Sequence, residues 1–334
     1  MAAERGPNGI RLVSIDERGD RLFEVVQPAP GLARDTNPAI SPDCAWIVFA
    51  SSRDRPLAET SLWIAKLEPE AMPIRITQGP AIDSHPTWTH DGRAIIFASA
   101  SGASAASSAR AASFDLYRLP IDRGKPTGEA ERLTRGNGHE VTPVTARDGT
   151  LIYAEVTPQP EGQVESHLEQ LAPDGTISKL TAGPADSSPA LSPDDQTIAF
   201  ARPKQHPGSV DAELWTMPRS GDPATQLIDV PLTDESGPVW SRDGRFVFAT
   251  SALRGASGNV VFSSVVHVDL TEHPRVARML EDRTGAIARL TPAIGCTHLD
   301  ATALHGDPEY LPEVARIVAR AIAEQKQTAE PIPP

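Results

Sequence analysis

Several things are scarce in this chain, and each scarcity closes off a class of function. Only two cysteines occur, Cys44 and Cys296, too few for a disulfide framework, and their spacing matches no metal motif. No apolar run approaches the length of a transmembrane helix. The opening segment MAAERGPNG has no apolar stretch of the kind a secretory leader carries, so the chain reads as cytoplasmic unless a leader was removed. Basic residues are outnumbered, giving a formal charge of −13, which argues against nucleic acid and against anionic membrane. Plain solubility, a cation or a basic partner all agree with that charge. Catalytic signatures are missing as well. There is no Gly-x-Ser-x-Gly elbow, no order of Ser, His and Asp that suggests a triad, and no His-Glu-x-x-His spacing.

What the chain does have is one phrase written five times. The copies are PAISPDCAWIVFAS from Pro38, PTWTHDGRAIIFAS from Pro86, PVTARDGTLIYAE from Pro143, PALSPDDQTIAFAR from Pro189 and PVWSRDGRFVFAT from Pro238. Recurrence every roughly 46–57 residues marks a repeat architecture whose units stack to share one core. The length would allow two domains, but the repeats fill most of it as one.

Each copy reads as strand, tight turn, strand. The turn places Asp before Gly in three copies (Asp91-Gly92, Asp148-Gly149, Asp243-Gly244), because Asp can bond its own backbone and Gly takes the positive φ that follows. Asp195 and Cys44 replace that Gly in the other two, and Cys tolerates the left-handed region poorly, so the first turn is expected to differ. The run after the turn (Ile47-Val48-Phe49 and its counterparts) is apolar on both faces, as in a strand held between neighbouring sheets. A third strand recurs at Leu62-Trp63, Leu116-Tyr117, Leu168-Glu169, Leu214-Trp215 and Val266-His267. A fourth recurs at Arg75-Ile76-Thr77, Arg132-Leu133-Thr134, Lys179-Leu180-Thr181, Leu232-Thr233 and Arg289-Leu290-Thr291. Four strands per unit make a propeller blade. Trp88 and Trp240 share one register and Trp63, Tyr117 and Trp215 another, so they are expected to pack blade against blade, with Glu169 marking a more exposed edge.

The expected fold is all-β, a six-bladed propeller of four-stranded blades. Its sixth blade is shared by the termini: residues 10–26 would give its last two strands, and the segment after Thr291, especially Leu299 to Leu304, the missing inner ones. Residues 8–305 are assigned to the propeller. Residues 306–326 form a C-terminal α-helix, with Leu311, Val314, Ile317, Val318, Ala321 and Ile322 on one face, and 327–334 a disordered tail. The low-complexity stretch from Gly102 to Ser113 is a loop insertion between strands.

The phrase P-x-W-S-P-D-G-x-x-I-x-F-x-S, then L-W, then R-L-T, resembles the TolB-type β-propeller repeat over roughly residues 10–300, and Ser51-Ser52-Arg53-Asp54 is similar to the end of that motif. The resemblance is to the propeller alone. It implies a role as a scaffold or protein-binding module of a bacterial, envelope-associated complex, periplasmic if a leader was removed. It also leaves open the lyases and the non-catalytic halves of peptidases that share such propellers.

Three residues before each repeat proline stands a carboxylate: Asp35, Asp83, Glu140, Asp186 and Glu235. This position enters the innermost strand, so the five would ring one mouth of the central channel. In one reading each acid accepts N–H bonds and fixes its own loop. In the other the acids form a negative funnel in which pairs near 10 Å repel by roughly 1–2 kcal/mol, relieved by a cation or by a basic, extended segment of another protein. The expected role is non-catalytic binding of such a segment, with no cofactor required and a divalent cation in the channel as an option. The alternative is a metal-dependent lyase or hydrolase at the same mouth. Its candidate ligands are His85 and His139, with His298 near the closing blade, set against the plainer reading of scattered loop histidines.

Overall fold

The structure is a computed structural model. It describes residues 33–279 apart from short stretches, the longest being 102–112. It also describes the backbone of four strands near the termini, Ala2–Arg5, Ile10–Ser14, Arg21–Glu24 and Leu290–Pro292. Each phrase copy starts one antiparallel blade. The first is Asp35–Ile40, Trp46–Ser51, Ser61–Lys66 and Ile74–Arg75. The second is Ala81–Trp88, Ala94–Ser101 and Asp115–Asp122, whose third strand pairs with both Lys125–Pro126 and Glu131–Arg132. The third is His139–Thr145, Leu151–Pro158, Val164–Leu171 and Ile177–Lys179. The fourth is Ser187–Leu191, Thr197–His206, Ser209–Pro218 and Thr225–Gln226. The fifth is Thr233–Trp240, Phe246–Arg254, Val260–Asp269 and Ala277–Met279.

The expectation of six blades with a C-terminal helix is corrected here. Five blades are built, one for each copy of the phrase, and no helix occurs among the described residues; 306–334 lie outside them, as do Leu299 to Leu304 and His298. The terminal strands pair in the order Leu290–Pro292, Ala2–Arg5, Ile10–Ser14, Arg21–Glu24 and run beside the first and fifth blades. This short sheet carries no copy of the phrase, and the packed apolar layers that define a blade are described only for the other five. Two outer strands also shift. Leu232-Thr233 leads into the fifth blade's inner strand, and Leu290-Thr291 joins the terminal sheet. The backbone bond from Leu227 N–H to the Leu214 carbonyl matches those of Ile76, Leu133 and Leu180 to Leu62, Leu116 and Leu168, which makes Leu227 the true fourth-strand counterpart.

Second strands are apolar on both faces because alternate residues serve different inter-blade layers. Ile47 and Phe49 pack with Trp63, whereas Val48 and Ala50 pack with Trp88, Ile95 and Phe97 of the second blade. Likewise Ile152 and Ala154 meet Ile198 and Phe200, and Leu214 meets Trp240 and Val247. Burial of one such side chain stabilises by about 1.5–3 kcal/mol. The indole N–H groups of Trp88 and Trp240 donate to the Ala39 and Ala190 carbonyls of the preceding blade, both at 3.1 Å. Half-buried Glu169 interrupts the aromatic series and accepts the Tyr153 hydroxyl at 2.9 Å.

Two backbone devices repeat. The residue before each phrase proline is left-handed, with φ of 51° at Asn37, 48° at His85, 52° at Thr142, 52° at Ser188 and 59° at Gly237. A register shift at each of these points marks a β-bulge, where a proline without an N–H costs the ladder nothing. In the turns, the residue after the Asp is left-handed in all five copies, Cys44 (φ 61°) included. Asp43 accepts the Ala45 N–H just as Asp91 accepts the Arg93 N–H, so the first turn keeps the common shape. Cys44 is disulfide-bonded; Cys296 lies outside the described residues.

Candidate functional site at the loop-entry end

Inner strands begin, and the hairpins between second and third strands end, at the same end of the propeller. The five repeat carboxylates lie there, buried, with at most 3% of each residue exposed. Cross-strand pairing extends four of the acids into polar rungs, Asp35–Ser51–Ser61, Asp83–Ser99–Asp115, Glu140–Glu155–His167 and Glu235–Ser251–Ser264, and the fifth, Asp186, joins the Arg202–Glu213 pair through its side-chain bonds to Arg202.

The rungs differ in how they satisfy the acid. Asp35 takes a bidentate pair from Arg53 (3.0 and 2.5 Å), and Asp186 one from Arg202 (2.6 and 2.9 Å). Asp83 accepts the hydroxyls of Thr77 (2.5 Å) and Ser99 (2.6 Å), Thr77 coming from the preceding blade. Glu235 accepts Thr233 and Ser251 at 2.7 and 2.8 Å, both on Oε1, while its Oε2 is buried without a hydrogen-bond partner. Burial pushes its carboxyl up to about 9, with Glu213 adding to the effect, so it is protonated at neutral pH. Glu140 has one long bond, from Thr134 at 3.3 Å, and faces Glu155 directly across the strands. Burial, then the nearby Asp115, push it up to about 7. The loop before it is glycine-rich for a reason. A Cβ on Gly136 would lie 1.9 Å from Glu140 Oε1, and one on Gly138 1.8 Å from Glu155 Oε1, so the backbone passes close over both carboxyls. With two acids paired to arginine and one protonated, these positions contribute less negative charge than five free carboxylates would.

His85 occupies the bulge of the second blade; desolvation holds its imidazole down at about 4, and Nδ1 lies 3.1 Å from Ser84 Oγ. His139 Nδ1 accepts the Phe114 N–H at 3.2 Å. Among the described residues one set of three metal-type donors comes together, His206, Glu213 and Asp229, and neither His85 nor His139 belongs to it. A second cluster, in the third blade, sets His167 between Glu169 (3.0 Å) and Glu155 (3.5 Å). Sequence reading missed both groups. For the third-blade cluster the signal was available in the position two residues after the phrase aromatic, where Ser51 and Ser99 give way to Glu155.

Among the described residues, second and third strands pair to Ser51–Ser61 in the first blade and to Ser99–Asp115 in the second, where 102–112 lie outside the described residues. In the other three they continue to Pro158–Val164, His206–Ser209 and Arg254–Val260, three or four residues further, or roughly 10–13 Å. The projecting hairpins expose Val164, Val210 and Val260, and Leu232 lies exposed in the adjoining loop. At the opposite end, a cavity of about 500 Å³ lies between the second and third blades, lined by His90, Asp91, Arg118 and Arg147 among others.

Repeated four-stranded blades packed face to face define a β-propeller. The TolB beta propeller domain family matches residues 13–243, and the chain belongs to that family. Among curated proteins none matches in sequence. Solved structures of similar fold include TolB from Acinetobacter baumannii (17% identity, TM-score 0.62, covering 87% of this chain and 65% of that one). A chain of the Nidogen/Laminin complex is similar at 11% identity and TM-score 0.60, covering 87% and 95% of the two chains. Oligogalacturonate lyase from Vibrio parahaemolyticus is similar at 14% identity and TM-score 0.54, covering 81% and 72%. At such identities the likeness shows the fold.

Proposed function

We propose that this propeller is a non-catalytic protein-binding module that receives an extended segment of another protein at its loop-entry end. The observation that carries the reading is the three projecting hairpins of the third, fourth and fifth blades, which expose Val164, Val210 and Val260 on one side of that end. Exposed apolar tips around a polar centre suit a partner that lays apolar side chains against a rim. The net charge of −13 favours a segment that also carries Lys or Arg. Asp35, Asp83, Glu140, Asp186 and Glu235 shape the floor of this end, and their field, rather than direct contact, acts on the segment. A chain of the Nidogen/Laminin complex shares this fold, and so does an oligogalacturonate lyase, so the preference for protein binding rests on the hairpins rather than on the likeness.

Photo-crosslinking amino acids placed at Val164, Val210 and Val260, with exposed His90 at the opposite end as control, test the reading in lysate. A shared protein adduct at the tips and none at His90 is expected. Adducts only at His90, or none at any tip, would refute it.

A further inference from the structure

The fourth blade brings three metal-type donors together, His206, Glu213 and Asp229. Its outer strand is joined to the next inner strand by the connection Leu227 to Leu232. This stretch buries Ile228 and Val230 in the core and so pins Asp229 between them, against the base of the projecting hairpin. There it meets His206, near the hairpin tip, and Glu213, the cross-strand partner of Arg202. His206 Nε2 lies 3.1 Å from Glu213 Oε1 and 3.6 Å from Asp229 Oδ1. All three donor atoms lie within 4.8 Å of one another.

We propose that His206 Nε2, Glu213 Oε1 and Asp229 Oδ1 form a three-donor site for a divalent transition-metal ion, with Zn²⁺ the best match. Donors held about 2.0–2.2 Å from a tetrahedral zinc lie about 3.3–3.6 Å apart, and the separations of 3.1 and 3.6 Å bracket that spacing. One imidazole with two carboxylates suits zinc better than calcium or magnesium, which favour oxygen donors throughout. The surrounding bonds hold the donors from behind. The Val230 N–H donates to both oxygens of Glu213, at 3.2 and 3.0 Å. Lys204 pairs with Asp229 Oδ2 and leaves Oδ1 on the side of His206, and Lys204 is itself held by Gln226 at 3.0 Å. Such outer bonds orient ligands. Glu213 is fully buried and His206 91% buried at the side chain, whereas Asp229 is half exposed, which leaves the fourth coordination position toward solvent.

On the adjoining inner strand, Glu235 sits within electrostatic reach of Glu213, and its Oε2 is buried with no hydrogen-bond partner. A cation at the three donors would add positive charge near both of these buried carboxyls. The proposal does not depend on the protein-binding reading, since crosslinking at the hairpin tips and metal binding are measured separately.

The test is calorimetric titration of the full-length, tag-free chain with Zn²⁺, and with Co²⁺ as a spectroscopic probe of tetrahedral geometry. One equivalent should bind, with the visible absorption of tetrahedral Co²⁺. His206→Gln should abolish it. Asp229→Asn, at a half-exposed position that tolerates the change, should weaken it by about tenfold or more, and His90→Gln should leave it unchanged. Circular dichroism confirms folding of each variant. No saturable binding to the wild type, or equal binding by the folded His206→Gln and Asp229→Asn variants, would overturn the proposal.

Discussion

The Glu140–Glu155 rung makes a pH-dependent stability prediction of unusual sign for a carboxylate. Glu140 is raised from 4.5 to about 7 by burial first and by Asp115 next. A group raised on folding favours the folded state fully below its unfolded value, and that contribution is lost as pH climbs through the folded value. The window therefore runs from about pH 4.5 to about pH 7. A shift of this size corresponds to about 3 kcal/mol at most, and solvent screening at the end of the propeller reduces it to about 2 kcal/mol. Glu140→Gln removes the titration while keeping an acceptor for Thr134, and it gives Glu155 a donor across the strands. In urea unfolding followed by circular dichroism, the variant should be more stable than wild type by about 2 kcal/mol near pH 8. The two should converge near pH 5. A difference that stays constant with pH, or a wild type that is the more stable near pH 8, would refute the reasoning.

Breaking the buried pair between Arg53 and Asp35 with Arg53→Ala should cost about 3–5 kcal/mol, read from the denaturation midpoint, because Asp35 is then left charged and unpaired. Thr142 is a β-branched residue at φ 52° with a buried hydroxyl that lacks a partner, so Thr142→Gly should raise stability by about 1 kcal/mol despite the entropy cost of glycine; a lower melting temperature would count against the strain. Gly136→Ala should destabilise by forcing a methyl group into the Glu140 carboxyl, and Glu140→Ala in the same chain should recover part of the loss in a double-mutant cycle.

Local chemistry was legible in the sequence wherever it repeated. Five copies of one phrase named the inner strands, the Asp-centred turns and the aromatic layers, because each depends on residues a few positions apart. The apolar runs gave away their two-sided burial for the same reason. The outer strands were read less well. Leu232-Thr233 mimics the Leu-Thr of the other copies, yet the bond that defines the outer strand is made by Leu227, and only the long-range pairing with Leu214 distinguishes the two. The count of six blades failed on the same ground: strands without the phrase could be assigned to a blade only by their packing.

The acids show where sequence stops. That a carboxylate recurs three residues before each proline is a fact of the chain. That Asp35 and Asp186 are paired with arginine, Asp83 with hydroxyls, and Glu140 with another carboxylate follows from what the second strand, the residues beyond it and the preceding blade bring within reach. His206, Glu213 and Asp229 have no recognisable spacing, because a hairpin and the loop after the outer strand bring them together only in three dimensions. Repetition, a local property, fixed the family and the blades. Charge, protonation and any ligand site depend on partners across strands and between blades, and those were decided by the tertiary structure alone.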